Sequence, residues 1–403
     1  MKTVKFYTLG CKVNQYETQS IRERFSRAGF SESENGSPAD IYLINTCTVT
    51  HKADSDSRYY IHKAESQNPR AKIIVTGCLV EKDALSLAKI KGIDYLISKR
   101  FFSEGISSFS GHTRAFLKIQ DGCDNFCSYC KVPLVRGHSR SKKLAQIIKE
   151  AKALVKNGFK EIVLCGICLG AFGRDLKPKL KLVNVIKRLE KIAGLFRIRL
   201  SSIEAGDVSD ELIRHMLNSK KLCRHLHIPI QSGDDQILKR MNRRYSSADY
   251  LGLIRKIKKQ IPDIAITSDV LVGFPGESEE SFNNTLNLVK KIMPLRAHIF
   301  PYSPRQGTSA ASLVGISPQI VKKRMQRLRN LAEKLSLQYR KKFLNKKARV
   351  LIEGLFKEKA GFWEGHTDNY IKILVSSEEN LKNRLVIVRL KRIFKDSILA
   401  DLC

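Results

Sequence analysis

The residues Gly122 to Cys130, GCDNFCSYC, hold three thiols in a CxxxCxxC spacing: Cys123, Cys127 and Cys130. They follow an apolar run of Ala115, Phe116, Leu117 and Ile119. Three thiolates this close suit one compact metal centre. Tetrahedral zinc wants a fourth protein ligand, and none is nearby. A cubic 4Fe–4S cluster can take three cysteines and leave one iron open for a substrate or cofactor. The alternatives are a redox dithiol with a spare cysteine, or an incomplete zinc knuckle.

A second constellation is spread over the first hundred residues. The segments TLGC, INTC and VTGC end at Cys11, Cys47 and Cys78, each directly after a strand-like apolar run. In an open parallel sheet, functional groups gather beyond the carboxyl ends of the strands. Thiols distant in sequence can therefore converge, and Gly10 and Gly77 permit a tight turn just before two of them. This trio is a second candidate for a three-cysteine cluster; the alternative is a set of buried cysteines behaving as small hydrophobes.

These thiols must be positioned by an α/β framework. The first 110 residues read as four short strands (Val4–Leu9, Ile41–Ile44, Ile73–Thr76, Tyr95–Ile97) alternating with helices near 15–28, 58–66 and 82–90, a small parallel sheet. Residues 101–114 are rich in Ser and Gly and read as a linker. Six β/α units follow, with strands at Phe116–Gln120, Glu161–Cys165, Arg197–Ser201, Leu226–Ile230, Ile266–Val272 and Ala297–Tyr302. They predict an incomplete (β/α)6 TIM-like barrel with its chemistry at the strands' carboxyl ends. Pro318 opens a long helical pattern, and strands at Ala348–Ile352, Tyr370–Val375, Arg384–Arg389 and Ser397–Ala400 then predict a small β-barrel. The expected domains are 1–110, 111–335 and 336–403.

Charge narrows the partner. Across 403 residues, Lys plus Arg total 73 and Asp plus Glu total 39, a net charge of +34. Such an excess favours a polyanion, nucleic acid first. Between Lys322 and Arg349 twelve residues are basic and one, Glu333, is acidic. That stretch suits RNA phosphates, or simply a solvated face over a neighbouring domain. No segment is apolar enough to span a bilayer. The N-terminus lacks a signal-peptide pattern, and ten cysteines then point to metal or catalytic thiols in a cytoplasmic protein.

With Tyr129 before its last cysteine, the CxxxCxxC motif resembles the signature of radical S-adenosylmethionine (SAM) enzymes. The phrases TLGCKVNQYET, NTCTVT, VTGC, DGCDNFCSYCKVPLVRGHSRS, HIPIQSGDDQILKRMNR and DVLVGFPGE together resemble the radical-SAM methylthiotransferases, and the C-terminal section resembles a TRAM domain. NQYET, VPLVRG and EGHTDNYIK are most similar to the branch acting on N6-threonylcarbamoyladenosine in tRNA. Other branches act on isopentenyladenosine in tRNA or on an aspartate of a ribosomal protein.

The resemblance implies two 4Fe–4S clusters and SAM. Cys123, Cys127 and Cys130 would hold the cluster that cleaves SAM to a 5′-deoxyadenosyl radical, which takes hydrogen from C2 of the modified adenine. Cys11, Cys47 and Cys78 would hold the cluster carrying the sulfur, and a second SAM would supply the methyl group. The partners implied are the tRNA anticodon stem-loop, a one-electron donor such as flavodoxin or ferredoxin, and a sulfur source. Tyr129, Glu204, Gln231 and Asp269 are expected to contact SAM, and the two trios to face one another across a shared cavity. Strand-end position also draws in Ser202 and Ser232, and GFPGE (273–277) reads either as a SAM loop or as an ordinary turn. Asn14, Gln15 and Glu17 face the substrate or only cap a helix. His225 and His227 read as packing or hydrogen-bonding residues. Cys165 and Cys168 read as incidental thiols near the cofactor, and Cys223 and Cys403 have no partner by spacing. Two rival functions remain: an RNA-methylating radical-SAM enzyme with one cluster, and a non-catalytic RNA-binding metal protein.

Overall fold

The computed structural model describes residues 2–34, 36–99 and 105–403. Its N-terminal part runs β1 (Thr3–Thr8), α1 (Lys12–Arg27), β2 (Ser31–Glu32), β3 (Ile41–Thr46), α2 (His51–Gln67), β4 (Lys72–Gly77), α3 (Cys78–Leu87) and β5 (Tyr95–Leu96). The strands form one parallel sheet in the order β2-β1-β3-β4-β5. The expected sheet is present, with a fifth strand added at its edge. β2 is two polar residues long and carries no apolar alternation to betray it. α1 starts at Lys12, earlier than the sequence pattern indicated, because its N-cap is Cys11, which makes no side-chain capping bond. α2 likewise starts early, at His51, where Thr50 Oγ1 accepts from the Ala53 amide.

The central part runs β6 (Arg114–Lys118), β7 (Gln120–Asp121), α4 (Val132–Arg136), β8 (Arg140–Ser141), α5 (Leu144–Lys156), β9 (Glu161–Cys165), α6 (Leu182–Glu190), β10 (Arg197–Leu200), α7 (Asp210–Asn218), β11 (His225–His227), α8 (Asp235–Arg240), α9 (Ser247–Gln260), β12 (Ala265–Val272), α10 (Glu279–Ile292) and β13 (Arg296–Pro301). The six expected parallel strands fall into two ladders, β6-β9-β10 and β11-β12-β13. Single bridges, Ile198 to Leu222 and Ser202 to His227, join the halves. Among the described residues no pairing links β13 back to β6, so the barrel is incomplete.

Residues 101–104 of the Ser- and Gly-rich linker lie outside the described residues. The rest is not a free tether. Ile106 and Phe109 are buried in the barrel's own core. The Ser107 and Ser108 amides donate to the Glu23 carboxylate of α1 at 2.8 Å. Serine serves here as a source of backbone donors, which composition does not distinguish from flexibility.

α11 (Pro318–Lys341) leads to β14 (Lys347–Leu355), β15 (Phe362–Thr367), β16 (Lys372–Ser376), β17 (Leu385–Phe394) and β18 (Ser397–Leu402). These five strands close into a barrel in the order β14-β15-β16-β18-β17. β15 escapes the sequence pattern because Gly361 and Gly365 read as loop punctuation. α11 packs Met325, Leu328 and Leu335 into the central core and Tyr339 into the C-terminal one, so it runs through the expected limit at 335.

The C-terminal barrel is fastened to the amino ends of the central strands by buried charge. Glu161 on β9 accepts from Arg199 at 2.7 Å and lies 3.6 Å from Arg197 and 4.0 Å from Arg114. Arg199 also donates to the backbone oxygens of Thr367 and Asp368, Arg197 to that of His366, and Arg114 to Glu353. Burial pushes the Glu161 carboxyl up, but the three guanidiniums outweigh it and bring the group from 4.5 down to about 2. Its contribution is therefore present above pH ~4.5 and is lost as pH falls toward 2. Glu161→Gln strands buried guanidiniums and should destabilise the protein by about 3–5 kcal/mol. A denaturation midpoint equal to that of the wild type would contradict this role.

Candidate active site

The first trio is assembled by backbone geometry at the sheet's carboxyl edge. Cys11 caps α1, Cys47 follows β3, and Cys78 opens α3 directly after β4. Gly10 (φ +94°) precedes Cys11, and a Cβ there would lie 3.0 Å from the Cys47 sulfur. Gly77 (φ +98°) precedes Cys78, and a Cβ there would meet the Thr46 carbonyl at 2.5 Å. Both sites demand glycine so that the thiols can approach. Cys11, Cys47 and Cys78 together line a cavity of about 230 Å³ with Lys131, Arg136 and Cys165.

The second trio lies on the loop between β7 and α4. The Cys123 amide donates to the Gly137 carbonyl at 3.0 Å and the Cys130 amide to that of Cys127 at 2.9 Å. Arg243 donates to the Cys127 sulfur at 3.3 Å, grips Glu204 through both terminal nitrogens, and donates to the Tyr245 hydroxyl at 3.0 Å. Cys127 and Glu204 line a second cavity of about 340 Å³ with Arg174 and Asp207.

All three thiols of the first trio line one cavity, whereas only Cys127 of the second lines the other, so the expected cavity shared by both trios is not among these. Cys165, Gly166 and Ile167, with Lys131 and Val132 just after Cys130, border the first cavity, and the CxxC there is divided. Cys165 faces the first cavity, whereas the Cys168 thiol donates to the Asp207 carboxylate at 3.6 Å and accepts from Asn125 at 3.7 Å. A third cavity, of about 450 Å³, fills the barrel lumen; Cys11, Lys12, Ser201 and Ser202 border both it and the first.

Two residues that sequence reasoning passed over, Arg136 and Gln120, brace the whole arrangement. Arg136, 1% exposed, donates to the Asn14 side-chain oxygen at 2.6 Å, to Glu17 at 2.9 Å and to Asp121 at 2.9 Å. Asn14 itself donates to the Leu9 and Thr46 carbonyls, fixing the turns that carry Cys11 and Cys47. Lys118 completes the charge balance, 3.0 Å from Glu17 and 3.3 Å from Asp121. Gln120 donates to the Gly122 carbonyl at 2.8 Å and accepts from the Cys168 amide at 2.9 Å, so it registers the cysteine loop against β9. Arg136 ends the otherwise apolar turn VPLVR; a lone arginine after apolar residues was the available signal. Asn14 and Glu17 are therefore bracing residues, not caps.

The expected SAM contacts are dispersed around this rim. Tyr129 packs edge-on to Phe274 at 6.4 Å. Glu204 is committed to Arg243 beside Cys127. Gln231, with φ +61°, bonds through its backbone to β12. Asp269 faces the lumen 3.2 Å from His227. Ser232 accepts from the Asp234 amide and is structural. The GFPGE loop is held by protein neighbours: the Glu277 carboxylate accepts from the Gly273 amide and from Arg324, each at 2.9 Å. A Cβ at Gly276 would collide with Arg240.

A family model described as Radical SAM superfamily matches residues 117–289, and one described as Uncharacterized protein family UPF0004 matches 3–98. The threonylcarbamoyladenosine tRNA methylthiotransferase MtaB of Bacillus subtilis is 38% identical over 97% of this chain and 94% of its own. The chain belongs to the radical SAM tRNA methylthiotransferases. Within that family, the MtaB of Thermotoga maritima is 37% identical over 92% of this chain and 91% of its own. A tRNA-2-methylthio-N(6)-dimethylallyladenosine synthase of Clostridium tetani is 35% identical over 90% and 87%. The fold is also that of TsrM from Kitasatospora setae, a radical S-adenosylmethionine methyltransferase (TM-score 0.55, 12% identity, 77% of each chain). A methylthiotransferase of this family works with SAM and 4Fe–4S clusters, and the donors here fit: two compact sets of three free thiols.

Ligation requires thiolates. Burial pushes Cys47 up to about 11 and Cys130 up to about 12, and raises Cys78 and Cys127 as well. Cys123 is held down to about 7, chiefly by its hydrogen bond with Cys168. Iron bound by these thiols would have to displace protons from most of them. Anaerobic iron incorporation into the cluster-free protein should therefore rise several-fold between pH ~7 and ~9. Loading independent of pH would contradict it.

Proposed function

We propose that this methylthiotransferase inserts a methylthio group at C2 of N6-threonylcarbamoyladenosine, the purine 3′ of the tRNA anticodon. The observation carrying this reading is the pair of three-thiol sites at one rim of the barrel, with Cys11 bordering the lumen cavity as well. The names of the relatives at 36–38% identity support the choice of base. Cys123, Cys127 and Cys130 would hold the cluster that engages SAM; Cys11, Cys47 and Cys78 would hold the sulfur-donating one. Tyr129, Glu204, Gln231 and Asp269 would contact SAM.

The chemistry these groups supply when bound is homolytic removal of an unactivated hydrogen, together with delivery of sulfur and methyl. The chain's own residues position and insulate. Arg243 offers a positive donor to the Cys127 sulfur and fixes Glu204 beside it. Arg136 holds both cysteine frameworks in one register. Cys47 and Cys78 are buried from bulk water, whereas Cys11 is exposed and Cys123, Cys127 and Cys130 are half-buried. The substrate base must leave its stack to reach the lumen, which a loop nucleotide does at low cost.

Phosphate contacts would come from α11 and the C-terminal barrel, between which lies a groove of about 890 Å³ lined by Arg296, Lys334, Lys372 and Lys395. Among the described residues no helix is long and apolar enough to cross a membrane. The reading places the enzyme in the cytoplasm with a flavodoxin- or ferredoxin-like electron donor and a separate sulfur source.

Anaerobic reconstitution should give about eight irons per chain. Cys127→Ala should abolish SAM cleavage, whereas Cys47→Ala should retain cleavage and yield no methylthio product by mass spectrometry of tRNA nucleosides. Full product from Cys47→Ala would end the sulfur-carrier assignment. Reversing the exposed charges of Lys334, Lys341 and Lys342 to Glu should weaken tRNA binding and lower its salt slope by about 0.7–0.9 for each phosphate no longer neutralised. An unchanged slope would reduce α11 to a structural strut.

A further inference from the structure

The lumen cavity carries chemistry that cluster binding does not use. It is lined by residues pointing inward from the barrel strands, by Lys12 from α1, and by Tyr370 from the C-terminal barrel. Most of its charges are already matched: Arg199 by Glu161, Arg114 by Glu161 and Glu353, and Asp269 by His227. Two cations are not. The side chains of Lys12 and Arg296 have no hydrogen bond or ion pair among the described residues. The charge of Lys12 bears on His225, His298 and Tyr370, and that of Arg296 on His298.

Two buried polar atoms in the same cavity also lack partners: Ser201 Oγ and His225 Nδ1. Ser201 is 9% exposed and His225 4%. The His225 ring is held in place by its Nε2 contact to Thr267 Oγ1 at 2.9 Å and by stacking on Tyr370 at 4.6 Å. Leaving such atoms unsatisfied is unfavourable. A lumen built only for packing would fill these places with apolar side chains.

We propose that this cavity is the specificity pocket for a carboxylate on the base substituent, with Lys12 and Arg296 as the cations that receive it and Ser201 and His225 bonding the polar atoms beside it. The inference rests on the proposed methylthiolation of a modified adenosine and adds which part of that base is read. A threonylcarbamoyl group brings a carboxylate, a hydroxyl and a urea; each finds a complementary group here. An isopentenyl group brings only hydrocarbon and would desolvate two cations and two polar atoms without return.

The test uses the reconstituted, anaerobic holoenzyme and four anticodon stem-loop RNAs of one sequence, bearing adenosine, threonylcarbamoyladenosine, its methyl ester, or isopentenyladenosine at the target position. Affinity is read by fluorescence anisotropy. The acid is expected to bind at least about tenfold tighter than unmodified RNA, and the ester to lose most of that advantage. In Arg296→Met and Lys12→Met the acid-to-unmodified ratio is expected to fall toward one. The ester comparison needs no variant, so it stands even if Lys12→Met, beside Cys11, fails to load its cluster. Equal binding of acid and ester overturns the pocket. If the acid RNA is nevertheless converted to methylthio product, the proposed function survives that failure. Preferred binding and conversion of the isopentenyl RNA would overturn both.

Discussion

One buried guanidinium sets the distance between the two halves of the chemistry. Arg136 closes α4, the short helix that follows Cys130, yet its donors reach Asn14 and Glu17 on the helix that follows Cys11. It therefore joins the N-terminal sheet to the central barrel. A charged fork at 1% exposure is tolerable only with its carboxylates in place. Glu17, Asp121 and Lys118 supply that balance, so moving any one of the group disturbs the others. The N-terminal sheet cannot slide over the barrel without breaking this network, and the thiol trios are thereby held in a fixed relation.

A second buried acid, Glu161, performs the same office at the opposite end of the barrel. It gathers three arginines whose remaining donors hold the C-terminal barrel. Tyr370 then forms part of the lumen's floor. The C-terminal barrel is therefore both a basic surface and a wall of the lumen. The lumen is closed below and bordered above by Cys11. The missing pairing between β13 and β6 leaves one flank of the sheet open, where Arg296 borders both the lumen and the basic groove. On the proposed reading, anchoring of the RNA backbone and presentation of its base would be continuous in space.

The strands and thiols were legible from sequence because both obey local rules. Short apolar runs announced most of the parallel strands, and cysteines just past three strand ends landed together at the sheet's carboxyl edge. What escaped was non-local. Arg136 and Gln120 act on residues brought near only by the fold, and no spacing reveals a guanidinium's partners. The 105–113 segment reads as a tether because the partner of its serines, the Glu23 carboxylate, lies more than eighty residues away in sequence. GFPGE read ambiguously because glycine serves a ligand and a tight protein contact alike; here Arg240 and Arg324 explain it. The CxxC at Cys165 and Cys168 divides between two sites, since a strand end directs the first thiol inward and the following turn carries the second away.

Alignment of both thiol sites by one arginine is tested most directly by Mössbauer spectroscopy of iron-57-reconstituted Arg136→Met. The signals of both clusters are expected to fall together, because the turns carrying Cys11 and Cys47 and the loop carrying Cys123 lose the same brace. Full occupancy of both clusters, or a deficit confined to one, would contradict it.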